Sequence, residues 1–332
     1  LAMKKFKIGG VLESSVLAQG CMRQWKSPFE DAERVISTAL ECGITFFDHA
    51  DVYGFGKSEE CFGKYLKLNP GIRDKILLQS KCTLIRDDFQ TLSNDQSKEH
   101  ILVSCENSLK NLNTDYLDVY MLHAADTLVE PEEVAEAFDI LHSQGKVRYF
   151  GVSNHRPLQI ELLKKYLNQR LIIDQLQFSV AHTDLIDASM TMRLRPSANI
   201  DRTGGDVFTY TRLNDMTIQA WSPFQFGFYG GVFLGNSAYP KLNAAVNRMA
   251  EEKGVSPSAI AIAWILRHPA KVQPLIGTVN ADRLRDICTA TEVEMSRSEW
   301  YELYRMSLAD EEKDDMTSSV HHDTKAQGAE KK

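Results

Sequence analysis

Four residues with complementary chemistry follow three short apolar runs in the first half of the chain. Asp48 ends the run ITFFD, Lys81 ends KILLQSK, and His123 ends YLDVYMLH. Tyr53 lies five residues after Asp48, in the loop HADVYGFGKSEE. An ammonium group close to a phenol favours the tyrosinate, which makes the tyrosine a better proton donor at neutral pH. We therefore predict a proton-transfer site in which Asp48 holds Lys81, and His123 positions a substrate oxygen.

Taken singly, each of these residues has an ordinary structural explanation. An aspartate at a strand end often caps a helix, a lysine is usually a solvated charge, and a lone histidine is more often structural than catalytic. The set is harder to explain in this way, because several candidate strands end in a polar residue that apolar packing would not select. These residues are Asp48, Lys81, His123, Ser153 with Asn154, Gln177 and Ser222.

Eight short apolar runs alternate with amphipathic helical segments along the whole chain. The runs cover residues 15–20, 44–48, 75–81, 116–123, 147–153, 172–177, 216–222 and 272–277. Apolar residues in the segments between them recur at spacings of three and four, as in amphipathic helices. Strand–helix alternation predicts parallel strands, and eight repeats favour a closed α/β (β/α)8 barrel preceded by an N-terminal β-hairpin. The alternative is an open doubly wound sheet, but no G-x-G-x-x-G follows the first strand.

Two polar stretches interrupt or follow this pattern. Residues 184–211 form a segment longer than a usual strand-to-helix connection, which is typical of a functional lid or a disordered insertion. From residue 309 the chain is polar and nearly free of large apolar side chains. We therefore predict a single barrel domain over residues 1–308 and a disordered tail over residues 309–332.

The overall composition excludes several classes of protein. The 332 residues carry a formal net charge of −7, so we expect neither a nucleic-acid surface nor an anionic-membrane surface. Residues 216–240 are uncharged, but Pro223 and four glycines argue against a membrane span. The N-terminus shows no signal-peptide pattern, and six scattered cysteines without a C-x-x-C pair indicate reduced thiols in a cytoplasmic protein.

Several motifs together resemble the aldo-keto reductases in order and spacing. FFDHADVYG is followed by KILLQSK, DYLDVYMLH and GKVRYFGVSN, and the resemblance extends from about Lys4 to Leu308. It implies that Asp48, Tyr53, Lys81 and His123 form the catalytic tetrad. It also implies reduction of an aldehyde or ketone by hydride transfer from NADPH, with Tyr53 as general acid and no metal ion.

The resemblance also implies which residues hold the cofactor. Ser153, Asn154 and Gln177 would bind the nicotinamide carboxamide, and Trp221 would stack on the nicotinamide ring. The pyrophosphate would meet Ser222 and the backbone after Pro223, with the glycine-rich loop FQFGFYGG closing over it. Gly20, Met22 and Arg23 follow the first strand and would border the nicotinamide ribose. The implied cofactor-binding residues also include Asp48, Phe224 and Gly227.

The turn after the eighth strand is implied to bind the adenosine 2′-phosphate. Gly277, Thr278 and Asn280 precede a helix whose N-terminus would attract an anion, and Arg283 could reach the phosphate or lie against the adenine. Many relatives have a lysine near the position of Gly277, which this chain lacks. The expected preference for NADP over NAD therefore depends chiefly on Arg283 and the helix terminus.

The substrate itself is not predictable from these motifs. A pocket for a small carbonyl compound would include Tyr53 and His123 together with Trp25, Phe55 and Ala124. The same residues leave other activities open. Lys81 could form a Schiff base in a barrel aldolase, although a paired Asp48 would keep it protonated.

Two further alternatives remain from the residues. A barrel of this kind could bind the cofactor as a regulatory subunit with little turnover. A metal-dependent hydrolase would need paired histidines at strand ends. His49 and His155 are the nearest candidates, and we expect both to be structural or rim residues. The oligomeric state is not predicted.

Overall fold

Eight parallel strands close into a barrel in the computed structural model, which describes residues 3–86, 92–187, 206–227 and 230–310. The barrel order is β10-β11-β12-β3-β4-β5-β8-β9, and β1–β2 and β6–β7 are separate antiparallel pairs. Each of the eight apolar runs corresponds to one barrel strand to within a few residues, so the predicted barrel is confirmed and the open sheet is wrong. The strands are β1 (Lys5–Ile8), β2 (Leu12–Ser15), β3 (Ala18–Gly20), β4 (Phe46–Asp48), β5 (Leu77–Cys82), β6 (Leu84–Arg86), β7 (Leu92–Asn94), β8 (Leu117–Leu122), β9 (Val147–Ser153), β10 (Leu171–Gln177), β11 (Thr217–Trp221) and β12 (Gln273–Ile276).

Helices connect successive barrel strands and cover the outside of the barrel. Local signals fix several of their ends: Ser97 accepts a hydrogen bond from the backbone of His100 to begin α3, and Pro131 lies in the first turn of α4. The helices are α1 (Phe29–Glu41), α2 (Lys57–Leu68), α3 (Lys98–Leu112), α4 (Pro131–Ser143), α5 (Pro157–Lys164), α6 (Asp184–Asp187), α7 (Val207–Leu213), α8 (Pro240–Lys253), α9 (Pro257–Leu266) and α10 (Ala281–Cys288), followed by a last helix over residues 297–310.

The predicted N-terminal hairpin is confirmed, and it closes the end of the barrel opposite the carboxyl ends of the strands. Ile8 at the end of β1 belongs to the apolar cluster inside the barrel, together with Phe46 and Ile172. The backbone N–H of Gly9 donates to Thr217 Oγ1 at 3.0 Å. A Cβ on Gly9 would lie 2.5 Å from that of Ile172, and its φ is +56°, so only glycine fits this turn.

The two polar stretches noted in the sequence are described only in part. Helix α6 and the beginning of α7 form the two ends of the segment 184–211, and residues 188–205 lie outside the described residues, as do residues 311–332 of the predicted tail. Residues 309 and 310 are helical, two residues beyond the predicted boundary. Asp310 is buried, and its carboxylate accepts hydrogen bonds from the backbone of Lys241 at 3.2 Å and of Leu242 at 2.8 Å.

Within the described ranges, no helix has the length and apolar character needed to cross a membrane. Part of the uncharged segment 216–240 is instead barrel strand β11. All six cysteines are free thiols.

Asp174 is a fully buried carboxyl group in the middle of strand β10. It alternates with Ile173, which faces the barrel interior, and so points toward the surrounding helices. Neither carboxyl oxygen has a hydrogen-bond partner of ordinary geometry among the described residues. Burial raises the pKa of Asp174 well above its usual range, against a smaller opposite effect of the His155 backbone N–H. Burial therefore favours the neutral form of Asp174 in the folded protein.

Asp174→Asn should change the pH dependence of stability. The folded-state pKa is raised, so folding takes up a proton and the wild-type protein loses stability as pH rises above about 4, the pKa of an unfolded aspartate. The variant lacks this loss, so its free energy of unfolding should gain on the wild type by up to about 1.4 kcal/mol per pH unit between pH 5 and 7. Urea unfolding at both pH values measures the difference. A difference that does not change with pH would contradict it.

Candidate active site

The carboxyl ends of three adjacent strands bring Asp48, Lys81 and His123 to one place. Asp48 ends β4, Lys81 lies in β5, and His123 follows β8. Lys81 Nζ lies 2.6 Å from Asp48 Oδ1 and donates to the backbone oxygen of His49 at 2.7 Å. The Lys81 side chain is completely buried. Burial lowers the pKa of Lys81, and the Asp48 carboxylate opposes this effect by favouring the ammonium.

Tyr53 approaches this ion pair from the loop between β4 and α2. Lys81 Nζ lies 4.9 Å from the centre of the Tyr53 ring, and the ring meets that of His123 edge-to-face at a centroid distance of 5.8 Å. Burial lowers the pKa of His123 well below its usual range, and the Lys81 charge adds to this effect. The four residues of the predicted tetrad therefore form one cluster, with a cation behind the phenol and a neutral imidazole beside it.

The position of Lys81 bears on the aldolase hypothesis. A Schiff base requires a neutral amine that a substrate carbonyl can approach. Here Nζ is buried and bound to both Asp48 and the His49 backbone, which leaves it directed away from solvent. This arrangement favours an electrostatic role for Lys81 over a nucleophilic one.

The ends of β9, β10 and β11 bring together the residues that the resemblance assigns to the nicotinamide. Asn154 has a left-handed backbone, with a φ of +57°, and its Nδ2 donates to the His123 backbone oxygen and to Ser153 Oγ, both at 3.1 Å. Trp221 Nε1 donates to Asn154 Oδ1 at 3.1 Å. Gln177 is in register with Trp221, and its Nε2 is a buried donor without a hydrogen-bond partner among the described residues.

A second glutamine of β10, Gln175, was missed in the sequence. It is buried and in register with Ser153, whose Oγ donates to the Gln175 backbone oxygen at 2.8 Å. Its Nε2 donates to Asp48 Oδ1 at 3.0 Å. Gln177 is the last residue of β10, and Gln175 lies two residues before it. Since strand residues two apart share a face, the alternation of β10 was the signal that would have found Gln175.

At the neighbouring ends of β3 and β12, two glycines and an arginine lie close together. A Cβ on Gly20 would lie 3.6 Å from Gly277 Cα, and a Cβ on Gly277 would lie 3.3 Å from Arg23 Nη2. Met22 beside them is 45% exposed. Gly20, Arg23 and Gly277 therefore lie side by side at the carboxyl ends of β3 and β12.

At the N-terminus of α10, Thr278 and Asn280 make hydrogen bonds within the helix cap. Asn280 Oδ1 already accepts from the Arg283 backbone N–H at 2.8 Å, and the Asn280 N–H donates to Thr278 Oγ1 at 3.2 Å. Two of the donors expected for a phosphate are thus used in the helix cap. The Arg283 side chain is exposed. This leaves Arg283 as the group with most freedom to meet an anion.

The segment after β11 turns sharply over the same rim. Ser222 has a φ of +51°, and its backbone oxygen accepts from Gln225 at 3.0 Å, while Pro223 is buried. The Phe224 backbone oxygen accepts from Phe233 at 3.0 Å. The space beside Gly227 is open to a Cβ, so no close contact requires glycine there. Residues 228 and 229, within the predicted closing loop, lie outside the described residues.

The predicted substrate-pocket residues lie on the rim around Tyr53. Trp25 packs on the neighbouring loop so closely that a Cβ on Gly54 would lie 2.6 Å from its indole ring. Phe55 is 64% exposed. The Ala124 backbone oxygen accepts from Gln96 Nε2 at 2.7 Å, which ties the segment after β8 to the end of the β6–β7 ribbon.

Two acidic residues near Lys81, Asp51 after β4 and Glu59 in α2, were also missed in the sequence. The Asp51 backbone N–H donates to the Lys81 backbone oxygen at 3.0 Å, and Glu59 Oε1 accepts from Ser80 Oγ at 2.6 Å. Burial, followed by the Glu59 charge, raises the pKa of Asp51 to about 7. Burial also raises the pKa of Glu59. No spacing rule for strand ends identifies them, because neither residue ends a strand.

His49 and His155 are both buried in packing roles. The His49 ring meets Phe62 edge-on at 4.8 Å between centroids, and burial lowers its pKa to about 3. His155 Nδ1 lies 2.8 Å from the Ser153 backbone oxygen, and burial lowers its pKa to about 4. Within the described residues, no group of three histidine, cysteine or acidic side chains is arranged to hold a metal ion.

Comparison with known proteins agrees with this geometry. The model of the Aldo/keto reductase family matches residues 17–307. A 6-dehydroglucose reductase of Agrobacterium fabrum is 35% identical over 317 residues, covering 93% of this chain and 99% of that protein. The uncharacterized oxidoreductase YcsN of Bacillus subtilis is 32% identical, covering 91% and 97%.

Solved structures show the same fold at lower identity. A thermostable aldo-keto reductase in complex with the inhibitor epalrestat gives a TM-score of 0.75 at 24% identity, covering 92% of this chain and 100% of that one. An aldo/keto reductase from Klebsiella pneumoniae in complex with NADP and acetate gives 0.72 at 20% identity, covering 92% and 96%. With the family model matched along nearly the entire barrel, this chain belongs to the aldo/keto reductase family.

Proposed function

We propose that this protein reduces an aldehyde or ketone to an alcohol with NADPH, and that Tyr53 is the general acid. The observation that carries the proposal is the buried Lys81–Asp48 pair, 2.6 Å apart, whose ammonium lies 4.9 Å from the Tyr53 ring centre. A fixed positive charge at this distance stabilises the phenolate that remains after the proton has left.

The residues at the mouth fit a nicotinamide dinucleotide. Gln177 Nε2 is a buried donor without a partner among the described residues, as a carboxamide oxygen would require. Gly20 and Gly277 leave a narrow approach where side chains would project, with Arg23 beside it. The bound cofactor would supply the hydride. The Klebsiella pneumoniae relative was crystallised with NADP, which supports the same choice of cofactor here.

The protein's own groups then account for the proton. Tyr53 would donate its phenol proton to the carbonyl oxygen as negative charge develops there. His123 would remain neutral at pH 7, because burial and Lys81 lower its pKa, and would donate a hydrogen bond to the same oxygen. Asp48 keeps the Lys81 ammonium in place throughout. The rim formed by Trp25, Phe55 and Ala124 would contact the rest of the substrate.

The first substrate class to test is a sugar aldehyde. The Agrobacterium fabrum relative, 35% identical along nearly its full length, is a 6-dehydroglucose reductase. We therefore place 6-dehydroglucose ahead of simple aldehydes and ketones in a screen with NADPH and NADH. Turnover of other carbonyl compounds alone would keep the reaction class and change the substrate.

Tyr53→Phe should abolish nearly all carbonyl reduction while leaving NADPH binding intact. Loss of a general acid typically lowers the rate by about 10²–10⁴-fold. Stopped-flow turnover and a fluorescence titration with NADPH measure the two properties separately. Tyr65→Phe is the matched control, because Tyr65 lies on α2 and its hydroxyl contacts Ser37 of α1 at 3.3 Å, away from the tetrad.

Two results would count against this assignment. Turnover by Tyr53→Phe at the wild-type rate would remove Tyr53 from the role of acid. A wild-type protein that binds NADPH tightly but turns over no carbonyl compound would favour the regulatory-subunit alternative.

Arg283→Ala should weaken NADPH binding about tenfold and leave NADH binding unchanged, because only NADPH carries the 2′-phosphate that the exposed guanidinium would meet. Arg285→Ala is the control on the same helix, since Arg285 pairs instead with Glu41 at 3.0 Å and Asp282 at 3.1 Å. Fluorescence titrations with both cofactors measure the effect. Equal losses for NADPH and NADH would show that Arg283 does not read the phosphate.

A further inference from the structure

A chain of glutamine side chains runs through the interior of the barrel beneath the tetrad. Gln79 of β5, Gln175 of β10, Gln219 of β11 and Gln273 of β12 are all buried, with at most 2% of each residue exposed. Barrel interiors are normally filled by branched apolar side chains. A buried amide is costly unless it is hydrogen-bonded, so four in contact indicate a constraint beyond packing.

The end of the glutamine chain nearest the mouth of the barrel contacts the Asp48 carboxylate. Gln79 Nε2 donates to Asp48 Oδ1 at 2.5 Å, and Gln175 Nε2 donates to the same oxygen at 3.0 Å. Lys81 Nζ, at 2.6 Å, is the third donor to this atom. Three donors from two strands on different sides of Asp48 fix both the position and the rotation of its carboxylate.

The other end of the glutamine chain contacts the N-terminal hairpin. Gln219 Oε1 accepts from Gln79 and from Gln175, both at 2.9 Å, and Gln219 Nε2 donates to Gln273 Oε1 at 2.8 Å. Gln273 Nε2 then donates to the Ser15 backbone oxygen at 2.8 Å. The amides therefore link the closed end of the barrel to the active-site mouth.

The two ends of the glutamine chain also determine which way each amide presents its NH2 group and its oxygen. The Ser15 carbonyl can only accept, so the Gln273 amide must direct its NH2 group toward it and its oxygen toward Gln219. Gln219 must then direct its own oxygen upward, where it meets the NH2 groups of Gln79 and Gln175. Both of those groups are thereby presented to Asp48 as donors, which is the orientation that an ionised carboxylate requires.

We propose that Gln219, acting through Gln79 and Gln175, is a positioning residue that orients Asp48 and hence the Lys81 ammonium beneath Tyr53. Gln219 does not touch the reacting groups. Its carbonyl oxygen keeps two amides from turning their own oxygens toward the carboxylate. This inference rests on the proposed function, because its kinetic consequence is a loss of support for proton transfer from Tyr53.

Gln219→Met tests the proposal with a side chain of similar length and no amide. We expect kcat, calculated per enzyme molecule that binds NADPH, to fall about tenfold. The affinity for NADPH and the KM for the carbonyl substrate should change less than about twofold. Normalising turnover to bound NADPH removes any contribution from unfolded protein. Gln219→Glu keeps an acceptor for Gln79 and Gln175, and as a buried neutral carboxyl it can donate to Gln273, so it should restore kcat to within about twofold of wild type.

Thr217→Val is the matched structural control. Thr217 lies two residues earlier in β11, is buried, and accepts from the Gly9 backbone without belonging to the glutamine chain. It should lower the melting temperature and leave kcat unchanged. An unchanged kcat in Gln219→Met, or an equal loss of kcat in Thr217→Val, would overturn the proposal.

A crystal structure of Gln219→Met separates this inference from the proposed function. We expect the Asp48 carboxylate to rotate, or one of the Gln79 and Gln175 amides to turn, whether or not the enzyme reduces any tested carbonyl compound. If wild type shows no turnover but the variant shows this rearrangement, the proposed function fails and the positioning role stands. An undisturbed Asp48 in the variant overturns the positioning role directly.

Discussion

The buried ion pair of Lys81 and Asp48 is the interaction on which the site depends. Removing two charges from water is expensive, and their attraction offsets that cost only with good geometry and further hydrogen bonds. Here both requirements are met: the pair is 2.6 Å apart, and the His49 backbone oxygen accepts a further hydrogen bond from Lys81 Nζ. A protein that needed only stability could replace such a pair with apolar side chains. Its presence at a barrel mouth is therefore better explained by the charge it presents to Tyr53.

The barrel supplies the rigidity that this pair requires. Parallel strands place Asp48 and Lys81 on adjacent strands, and the β4–β5 register fixes how far each residue extends toward the mouth. The surrounding polar interior carries a cost, since Gln79 Oε1 is a buried acceptor without a partner among the described residues. The apolar layer between strands and helices, which includes Phe47, Tyr120 and Phe150, compensates for that cost elsewhere.

The fold and the tetrad cluster could be predicted from the sequence because both depend on simple periodicity. A strand–helix repeat dictates parallel strands, and the last residue of each run indicates the mouth, so Asp48, Lys81 and His123 were brought together as expected. Gln175 was missed because it lies two residues before the end of β10, on the same face as Gln177. The capped state of Asn280 was missed because hydrogen bonds within a turn depend on side-chain rotamers, which spacing does not encode. Asp51 was missed because its burial depends on how α2 and α3 pack.

The Asp310 carboxylate contacts the first turn of α8, far from it in the sequence. An acidic group near a helix N-terminus meets both free amides and the positive end of the helix dipole. Asp310 caps the N-terminus of α8 from 68 positions away in the sequence. A serine or asparagine next to the helix would ordinarily be used for this purpose. The last helix thus supplies, through Asp310, the cap of a helix that begins after the segment following β11. A truncation that removes Asp310 would therefore destabilise the N-terminus of α8. The loss would be of hydrogen bonds rather than of apolar contacts.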